Sequence, residues 1–258
     1  MDGFNDISID RVASSILSLL GVERDSNMAP PIEDIVAIGS CDRVFMYNPD
    51  AIAEWIYEAY REDFSPILKD ATLNLEMLSM VPPKTPVCFA SMYSGLLPDK
   101  HGIQSYTKPV LQCTTVFDVL AKMKKKCAIV STEGDSISMI FLNRDIDYFI
   151  YKTKEECNDK AIELIKDDKY DLIVLYNGDY DWAMHRFSPE GKRTLRALRE
   201  NIATYERIKK EIKKEWKGHK TALAFAPDHG CHKCYGFLGT HGMMISKDMN
   251  SRHFWTVL

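Results

Sequence analysis

Aspartate and histidine stand close together at two places in the sequence. Asp181 and His185 are four residues apart, and Asp228 is followed directly by His229 and Gly230. Residues four apart share one face of a helix, so the first pair can reach a single ion. The glycine after the second pair lets the backbone form a tight loop, in which a carboxylate and an imidazole can both be metal ligands. Both pairs therefore favour metal chemistry.

Two further segments carry residue types that suit the same chemistry. His241 lies between glycines in the run 239–242, where the backbone can turn sharply. Thr85 lies in a proline-rich segment just before an apolar helical run. A hydroxyl there usually caps the helix, but a helix start also offers backbone N–H groups to a phosphate. Cys231 and Cys234 form a single C-x-x-C pair, and one pair alone does not predict a structural zinc.

Four short, nearly continuous apolar runs predict the strands that must position these residues, because strands buried on both faces lack polar alternation. The runs are Arg43–Asn48, Cys127–Ser131, Asp171–Tyr176 and Thr221–Ala226. Helical periodicity is found in the stretches 7–20, 50–62, 89–95, 115–126, 154–168 and 190–216. This alternation predicts an α/β fold of three layers, with a mainly parallel sheet between two layers of helices.

The predicted strands deliver the candidate ligands to one edge of the sheet. Asp50 follows the first apolar run. The pair that begins at Asp181 follows the third run, and the pair that begins at Asp228 follows the fourth. Open α/β sheets bind their ligands at the carboxyl ends of the strands. The sequence therefore predicts that these carboxylates and imidazoles meet in one site.

Composition narrows the classes of function. The 258 residues carry a formal net charge of −4, whereas a general nucleic-acid binder would usually show a basic face. No run approaches about 18 apolar residues, so no membrane association is predicted, and the acidic start is unlike a secretory signal. Seven scattered cysteines suit a reducing cytoplasm. The sequence contains no pattern that indicates an oligomeric state.

Taken in order, these segments resemble the alkaline phosphatase superfamily, and within it the type I phosphodiesterase/nucleotide pyrophosphatase branch. The resemblance covers about residues 42–254. Its most specific stretch begins at Thr85, which stands where that branch has a nucleophilic threonine. The residues in register with it are Ser94, Gly95, Pro98, His101, Gly102 and Ile103. Asp-His-Gly at 228–230 and Gly-x-His-Gly at 239–242 match two further motifs of the family.

The resemblance implies one alkaline-phosphatase-like catalytic domain over residues 1–258, without the inserted cap domain of the related mutases. It also implies two divalent metal ions, for which the mixed imidazole and carboxylate ligands favour zinc and leave manganese as the second choice. One ligand set would be Asp181, His185 and His241, and the other would be Asp50, Asp228 and His229. Thr85 would complete the second set and act as nucleophile. The implied partner is a small-molecule phosphate ester.

Several positions depart from the family pattern. Ala51 and Met184 stand where the family has glycines, and Val87 replaces its proline. Tyr106 occupies the position of an asparagine that binds a phosphoryl oxygen, which makes Tyr106 a candidate substrate-binding residue. His232, close to the Asp-His-Gly motif, is a second candidate. These changes leave phosphodiesters, phosphomonoesters and sulfate esters open as substrates.

Other functions make different demands on the sequence. A sulfatase-type hydrolase uses a Cys or Ser followed by x-Pro-x-Arg, and no such arginine follows Thr85. A non-catalytic, metal-binding member of the fold would serve as a binding protein, and the departures near Thr85 and at Tyr106 motivate that alternative. A Rossmann-like or flavodoxin-like nucleotide binder would need a Gly-x-Gly-x-x-Gly run or a Walker lysine loop, and the chain has neither.

Overall fold

The computed structural model of the protein describes residues 3–234, 236 and 238–258. The strands are β1 (Ile7–Ser8), β2 (Arg43–Pro49), β3 (Leu73–Leu78), β4 (Cys127–Thr132), β5 (Asp147–Tyr151), β6 (Leu172–Asn177), β7 (Thr221–Phe225), β8 (His232–Lys233), β9 (Gly239–Thr240) and β10 (Asn250–Val257). The helices are α1 (Arg11–Leu19), α2 (Glu33–Val36), α3 (Glu54–Ala59), α4 (Ser65–Leu68), α5 (Thr85–Ser94), α6 (Pro98–His101), α7 (Val116–Lys122), α8 (Ser136–Ile140), α9 (Lys154–Asp167), α10 (Asp179–Phe187), α11 (Lys192–Glu215) and α12 (Ser246–Met249).

Eight of these strands form one sheet in the order β1-β3-β10-β7-β2-β6-β4-β5, while β8 and β9 form a separate hairpin. Strand β10 runs antiparallel to both of its neighbours, β3 and β7. The other pairs in the sheet are parallel. The prediction of a mainly parallel sheet is therefore confirmed.

The sheet is buried on both faces, which explains its uninterrupted apolar strands. Along β2, Val44 and Met46 pack into a core with α1, α5 and α7 on one side. The alternate residues Phe45 and Tyr47 pack into a second core with α3, α9 and α11. Successive side chains of a strand point to opposite faces, so one strand supplies both cores. The chain thus forms the three layers that the sequence predicts.

The four predicted strands are present, with ends shifted by at most one residue from the apolar runs. The helical stretch at 7–20 is partly wrong, because Ile7 and Ser8 pair with the edge of β3 and the helix begins only at Arg11. Asp10 precedes that helix, but its side chain makes no capping hydrogen bond. The stretch at 50–62 is helical only over Glu54–Ala59, because the chain must first turn out of β2.

Strands β3, β5 and β10 are absent from the sequence prediction. In β3, alternate residues are exposed, and β5 lies at the far edge of the sheet with little of it buried. Strand β10 begins with Asn250, Ser251 and Arg252, which hides its apolar half from a search for continuous hydrophobic runs. No helix within the described residues is both long and apolar enough to cross a membrane.

Candidate metal centre

Three neighbouring strands bring the predicted ligands together. β7, β2 and β6 are adjacent and parallel, and their carboxyl ends lie level because Pro49 pairs with Asn177. Asp50 leaves β2 at this edge, and its backbone N–H donates to the carbonyl of Asn177 at 3.0 Å. The loop after β7 carries the Asp228 pair, and α10 after β6 carries the Asp181 pair. The predicted meeting point of the strand ends therefore exists.

The side chains form two adjacent groups. Within each group, one ligand atom per residue lies within 4.8 Å of the others; the groups are Asp50, Asp228 and His229, and Asp181, His185 and His241. The imidazoles of His229 and His241 stack with ring centroids 4.1 Å apart, which joins the groups. The first group is fully buried, and the second is partly open to solvent.

Thr85 lies against the first group. It is the first residue of α5 and is almost completely buried. Its Oγ1 lies 3.2 Å from Asp50 Oδ2 and 3.4 Å from His229 Nε2. The hydroxyl that the sequence singled out is therefore inside the cluster.

The backbone orients the three histidines in the same way. The Nδ1 atom of each ring faces a carbonyl oxygen: His185 that of Gly239 at 3.1 Å, His229 that of Gly230 at 2.9 Å, and His241 that of Pro83 at 2.9 Å. A carbonyl only accepts, so each Nδ1 carries the hydrogen and donates it. In the neutral ring, Nε2 is then left with its lone pair directed into the cluster, which is the form that binds a metal.

The arrangement fits divalent cations. His185 Nε2 and His241 Nε2 lie 3.2 and 3.4 Å from Asp181 Oδ1, and His229 Nε2 lies 3.3 Å from Asp228 Oδ2. A tetrahedral ion with bonds of about 2.0–2.2 Å separates its ligands by about 3.3–3.5 Å. Both carboxylate oxygens are buried and accept no hydrogen bond within the described chain. An ion between each oxygen and its imidazoles would satisfy these otherwise unpaired atoms.

Without metal, the buried group holds protons that an ion would displace. Burial raises the pKa of Asp50 to about 7, and the nearby Asp181 carboxylate adds to that rise. Burial, followed by repulsion from Asp50, raises the pKa of Asp228 well above its ordinary range. Burial and the neighbouring His241 lower the pKa of His229. The close contact of His229 with Asp228 is therefore one between neutral groups in the metal-free protein, and not an ion pair.

The second group behaves in the opposite way. Burial alone would raise the pKa of Asp181, but the close imidazoles of His185 and His241 outweigh it, and the pKa falls below the ordinary value. The close Asp181 carboxylate raises the pKa of His185. Burial opposes the charged form of His241, but Asp181 more than compensates, and its pKa is raised. In this group the ionised carboxylate and the protonated imidazoles therefore stabilise one another.

A cavity of about 410 Å³ opens onto the cluster. Besides candidate ligands, it is lined by Lys84, Tyr106, Lys108, Asp135, Ser136, Tyr176, Gly178, Trp182, Arg186 and Thr240. Tyr106 and Trp182 are 56% and 55% exposed, so two large aromatic rings stand open at the mouth of the cavity. A larger cavity of about 850 Å³ lies between α9, α10 and α11 and contains none of the candidate ligands.

Tyr176 is a site residue that sequence reasoning missed. It lies near the end of β6, is buried, and donates a hydrogen bond from its hydroxyl to Asp50 Oδ2. Burial, followed by the Asp50 charge, raises the pKa of this phenol well above its ordinary value, so it stays a donor. Such a donor fixes the orientation of a ligating carboxylate. The only signal in the sequence is its place at a strand end, where Tyr176 also fits the apolar run of the strand.

Ala51 stands where the family that the sequence resembles has a glycine, and its backbone adopts a conformation typical of glycine. Its φ is 61°, in the left-handed region that favours glycine. This turn aims the backbone N–H of Ala51 at Asp228 Oδ1, 3.3 Å away. The strained backbone at Ala51 therefore connects the ends of β2 and β7 within the site.

Met184 replaces a glycine of the family, and the facing loop compensates. A Cβ added to Gly239 would collide with the Met184 sulfur and come within 2.7 Å of Pro189 Cδ. The methionine thus fills the space that the missing side chain of Gly239 leaves.

We expect Gly239→Ala to destabilise the fold by about 1–3 kcal/mol, because overpacking forces the loop before His241 to move. The same variant should bind the metal of the second group more weakly. Chemical denaturation and chelator competition measure the two effects. Adding Met184→Ala should restore part of both properties, because the contact with Pro189 remains, and a double variant no better than the single one would show that Met184 is not the obstacle.

The start of α5 offers a phosphate fewer donors than the sequence suggested. Pro86 has no N–H, and the N–H groups of Val87 and Cys88 both donate to the Lys84 carbonyl at 2.9 Å. Positive charge in the cavity comes instead from side chains. Lys84, Lys108 and Arg186 line it, and none of them forms an ion pair with a carboxylate of the described residues.

The two candidate substrate-binding residues have different positions. Tyr106 lines the cavity, as its place in the sequence implies. His232 is not among the described residues that line it. Its Nδ1 lies 2.6 Å from Oδ1 of the fully buried Asp248, and it pairs with Thr240 in the β8–β9 hairpin. Oδ2 of Asp248 also accepts from the Met243 backbone, so His232 helps to hold the loop around His241.

Comparisons with known proteins were made for the sequence and for the structure. No protein-family model matches the sequence, and no curated protein sequence matches it. Solved structures match the fold. Murine ectonucleotide pyrophosphatase/phosphodiesterase 5, solved as an inactive threonine-to-alanine variant in complex with AMP, superposes with a TM-score of 0.61 and 14% identity over 75% of this chain. The human protein gives a TM-score of 0.61 and 16% identity over 74% of this chain.

The chain spans 58% of the length of each of these neighbours, so it corresponds to part of them. At this level of identity the likeness concerns the fold. The three-layer architecture and the mainly parallel sheet agree with it. The chain therefore has the alkaline-phosphatase-like α/β fold of the nucleotide pyrophosphatase/phosphodiesterases, as the sequence motifs predicted.

Proposed function

We propose that the protein is a metal-dependent hydrolase of phosphate esters, with Thr85 as its nucleophile. The observation that carries the proposal is the position of Thr85 Oγ1, 3.2 Å from Asp50 Oδ2 and 3.4 Å from His229 Nε2. A hydroxyl buried among ligands of this kind has little structural purpose. The solved neighbour that is bound to AMP, a phosphate ester, is inactive as a threonine-to-alanine variant, which supports the same chemistry.

The proposed cofactors are two divalent metal ions, with zinc as the first choice and manganese as the second. The donor sets are Asp181, His185 and His241 for one ion, and Asp50, Asp228 and His229 with Thr85 for the other. When bound, the ions would neutralise the phosphoryl oxygens and favour the alkoxide form of the threonine. Imidazole and carboxylate donors at tetrahedral spacing support zinc.

The reaction follows from where Thr85 lies. Its Oγ1 would attack phosphorus in line with the leaving oxygen, forming a new O–P bond as the ester O–P bond breaks and the alcohol departs. The result is a phospho-threonyl enzyme. Water would attack this intermediate from the opposite side and restore the threonine hydroxyl, releasing phosphate from a monoester substrate or a phosphomonoester from a diester substrate. Tyr176 would hold Asp50 in place throughout, through its hydrogen bond to Oδ2.

The test is an assay of the purified full chain, stripped of metal and reloaded with zinc or manganese, on 4-nitrophenyl phosphate and bis-4-nitrophenyl phosphate. We expect turnover only with metal, and loss of it in Asp181→Ala. Exposed Lys100, outside the cavity, supplies a matched control as Lys100→Ala. Two bound ions without turnover in a broad ester screen would instead establish a non-catalytic binding protein. Turnover of sulfate esters alone would establish a sulfatase-type hydrolase.

Two further proposals concern the chain as a whole. We propose that residues 1–258 act as one catalytic domain without an inserted cap, which the single eight-stranded sheet supports. We also propose a cytoplasmic location, which the seven free cysteines support. Limited proteolysis that yields one resistant core, and fractionation of cells expressing the chain, test these two proposals.

A further inference from the structure

Three positive side chains line the cavity of the cluster. Lys84, Lys108 and Arg186 come from three separate segments, and none of them forms an ion pair within the described residues. The lining also includes Asp50, Asp135 and Asp181, so the cavity would become positive overall when the two proposed divalent ions are bound. A cleft with an excess of positive charge attracts an anion and raises its local concentration.

Two contacts hold the ammonium group of Lys108 at the wall of the cavity. Its Nζ donates to the Gly134 carbonyl at 2.6 Å and lies 5.3 Å from the centre of the Tyr106 ring. An ammonium has three donors, so two remain for a ligand in the cavity. Asp135, which follows Gly134 in the sequence, accepts hydrogen bonds at Oδ2 from Thr132 and Ser131 and does not form an ion pair with Lys108.

Lys84 is held on another wall. It directly precedes Thr85, and its stem runs over Gly242, where an added Cβ would come within 3.1 Å of Lys84 Cε. Arg186 is less free, because its guanidinium stacks on the Trp182 ring at 4.3 Å and donates to that residue's carbonyl. The two lysines are thus the cations available to a phosphoryl group.

The negative charge of the substrate determines how strongly the lysines attract it. A phosphodiester carries one negative charge at neutral pH, whereas a phosphomonoester carries two above its second pKa of about 6. The Coulomb energy of a lysine with a dianion is about twice its energy with a monoanion at the same distance. The side chain of an asparagine at the Tyr106 position is neutral and would not discriminate between the two kinds of ester in this way. In this chain the same loop carries Lys108.

We propose that Lys108, with Lys84, binds the non-bridging oxygens of the substrate, and that this site selects phosphomonoester dianions over phosphodiesters. The inference rests on the proposed hydrolase function, and it adds the class of substrate. It assigns to Lys108 a substrate-binding role that replaces the asparagine contact implied by the resemblance.

The experiment uses the metal-loaded full chain and two substrates with one leaving group, 4-nitrophenyl phosphate and methyl 4-nitrophenyl phosphate. Wild type should show the higher kcat/KM on the monoester. Lys108→Gln should lower kcat/KM about 30-fold on the monoester, as expected for loss of a charged hydrogen bond, but only about fivefold on the diester. Lys108→Arg should restore the preference. Lys100→Gln, which removes an exposed lysine outside the cavity, should change neither value.

Inhibition supplies a second measurement that a structural role would not affect. Inorganic phosphate should inhibit Lys108→Gln much more weakly than wild type, while inhibition by dimethyl phosphate should weaken far less. Equal losses on the two substrates, or a wild-type preference for the diester, would overturn the inference and leave the hydrolase function standing. If wild type turns over neither ester with metal bound, the proposed function itself fails.

Discussion

Replacing Thr85 with alanine is expected to lower kcat by at least about a thousandfold while both metal ions stay bound. Loss of a nucleophile removes the covalent route, and only binding and electrostatic effects remain. When the hydroxyl is removed, Asp50, Asp228 and His229 remain as three donors that would hold the ion of that set. Steady-state kinetics and metal analysis of the same preparation measure the two properties.

Thr85→Ser is the matched control for this experiment. It keeps an oxygen at the same place, so it should retain part of the activity and form a covalent phospho-enzyme that acid quenching traps. Thr85→Ala should trap none. Alanine and wild-type proteins with equal kcat would remove Thr85 from the reaction and assign the attack to water.

Replacing Asp228 with asparagine should have opposite effects on the metal-free and metal-loaded protein. Asp228 and Asp50 share a dry site, in which burial and then repulsion from Asp50 raise the pKa of Asp228, whereas a hydrogen bond from Asp228 lowers the pKa of Asp50. An amide at position 228 cannot ionise, and its N–H₂ can donate to His229 Nε2, which lies 3.3 Å from Asp228 Oδ2. We expect the metal-free variant to be more stable than metal-free wild type by about 1–4 kcal/mol. With saturating zinc the order should reverse, because only wild type keeps the ligand.

The pH dependence of the metal-free protein checks the same explanation. The pKa of Asp50 is about 7 in the folded protein and 3.8 as its ordinary value. A raised folded pKa means that its contribution to stability is complete below about pH 4 and is lost as the pH rises through 7. Urea unfolding from pH 4 to pH 8 should therefore show falling stability, less so in Asp228→Asn. A metal-free wild type that gains stability over this range would contradict the account.

The arrangement of the ligands could be predicted from sequence because it depends on backbone topology. Asp50 and Asp228 directly follow apolar strands, and parallel neighbours must end at one edge. Thr85 could be placed at a helix start from its prolines. These inferences need only the direction of the strands and not the position of any side chain.

The rest of the site depends on side-chain directions that no local pattern encodes. Tyr176 reaches Asp50 because β6 lies beside β2, and Lys108 reaches the cavity because a loop of irregular shape carries it there. The packing of Met184 on Gly239 is a contact between residues 55 positions apart. Strands β3 and β10 escaped detection for a related reason, since polar residues interrupt them.

The position of β10 also constrains how the sheet can assemble. It is the last of the described strands in sequence, yet it lies between β3 and β7 in the sheet. During synthesis, β1 and β3 therefore cannot join the rest of the sheet until β10 has been made. The block β7-β2-β6, which carries the candidate ligands, can form earlier. These side chains would then come together in a half-built sheet whose β7 edge is still open, and at that edge a nascent chain would be prone to associate with another.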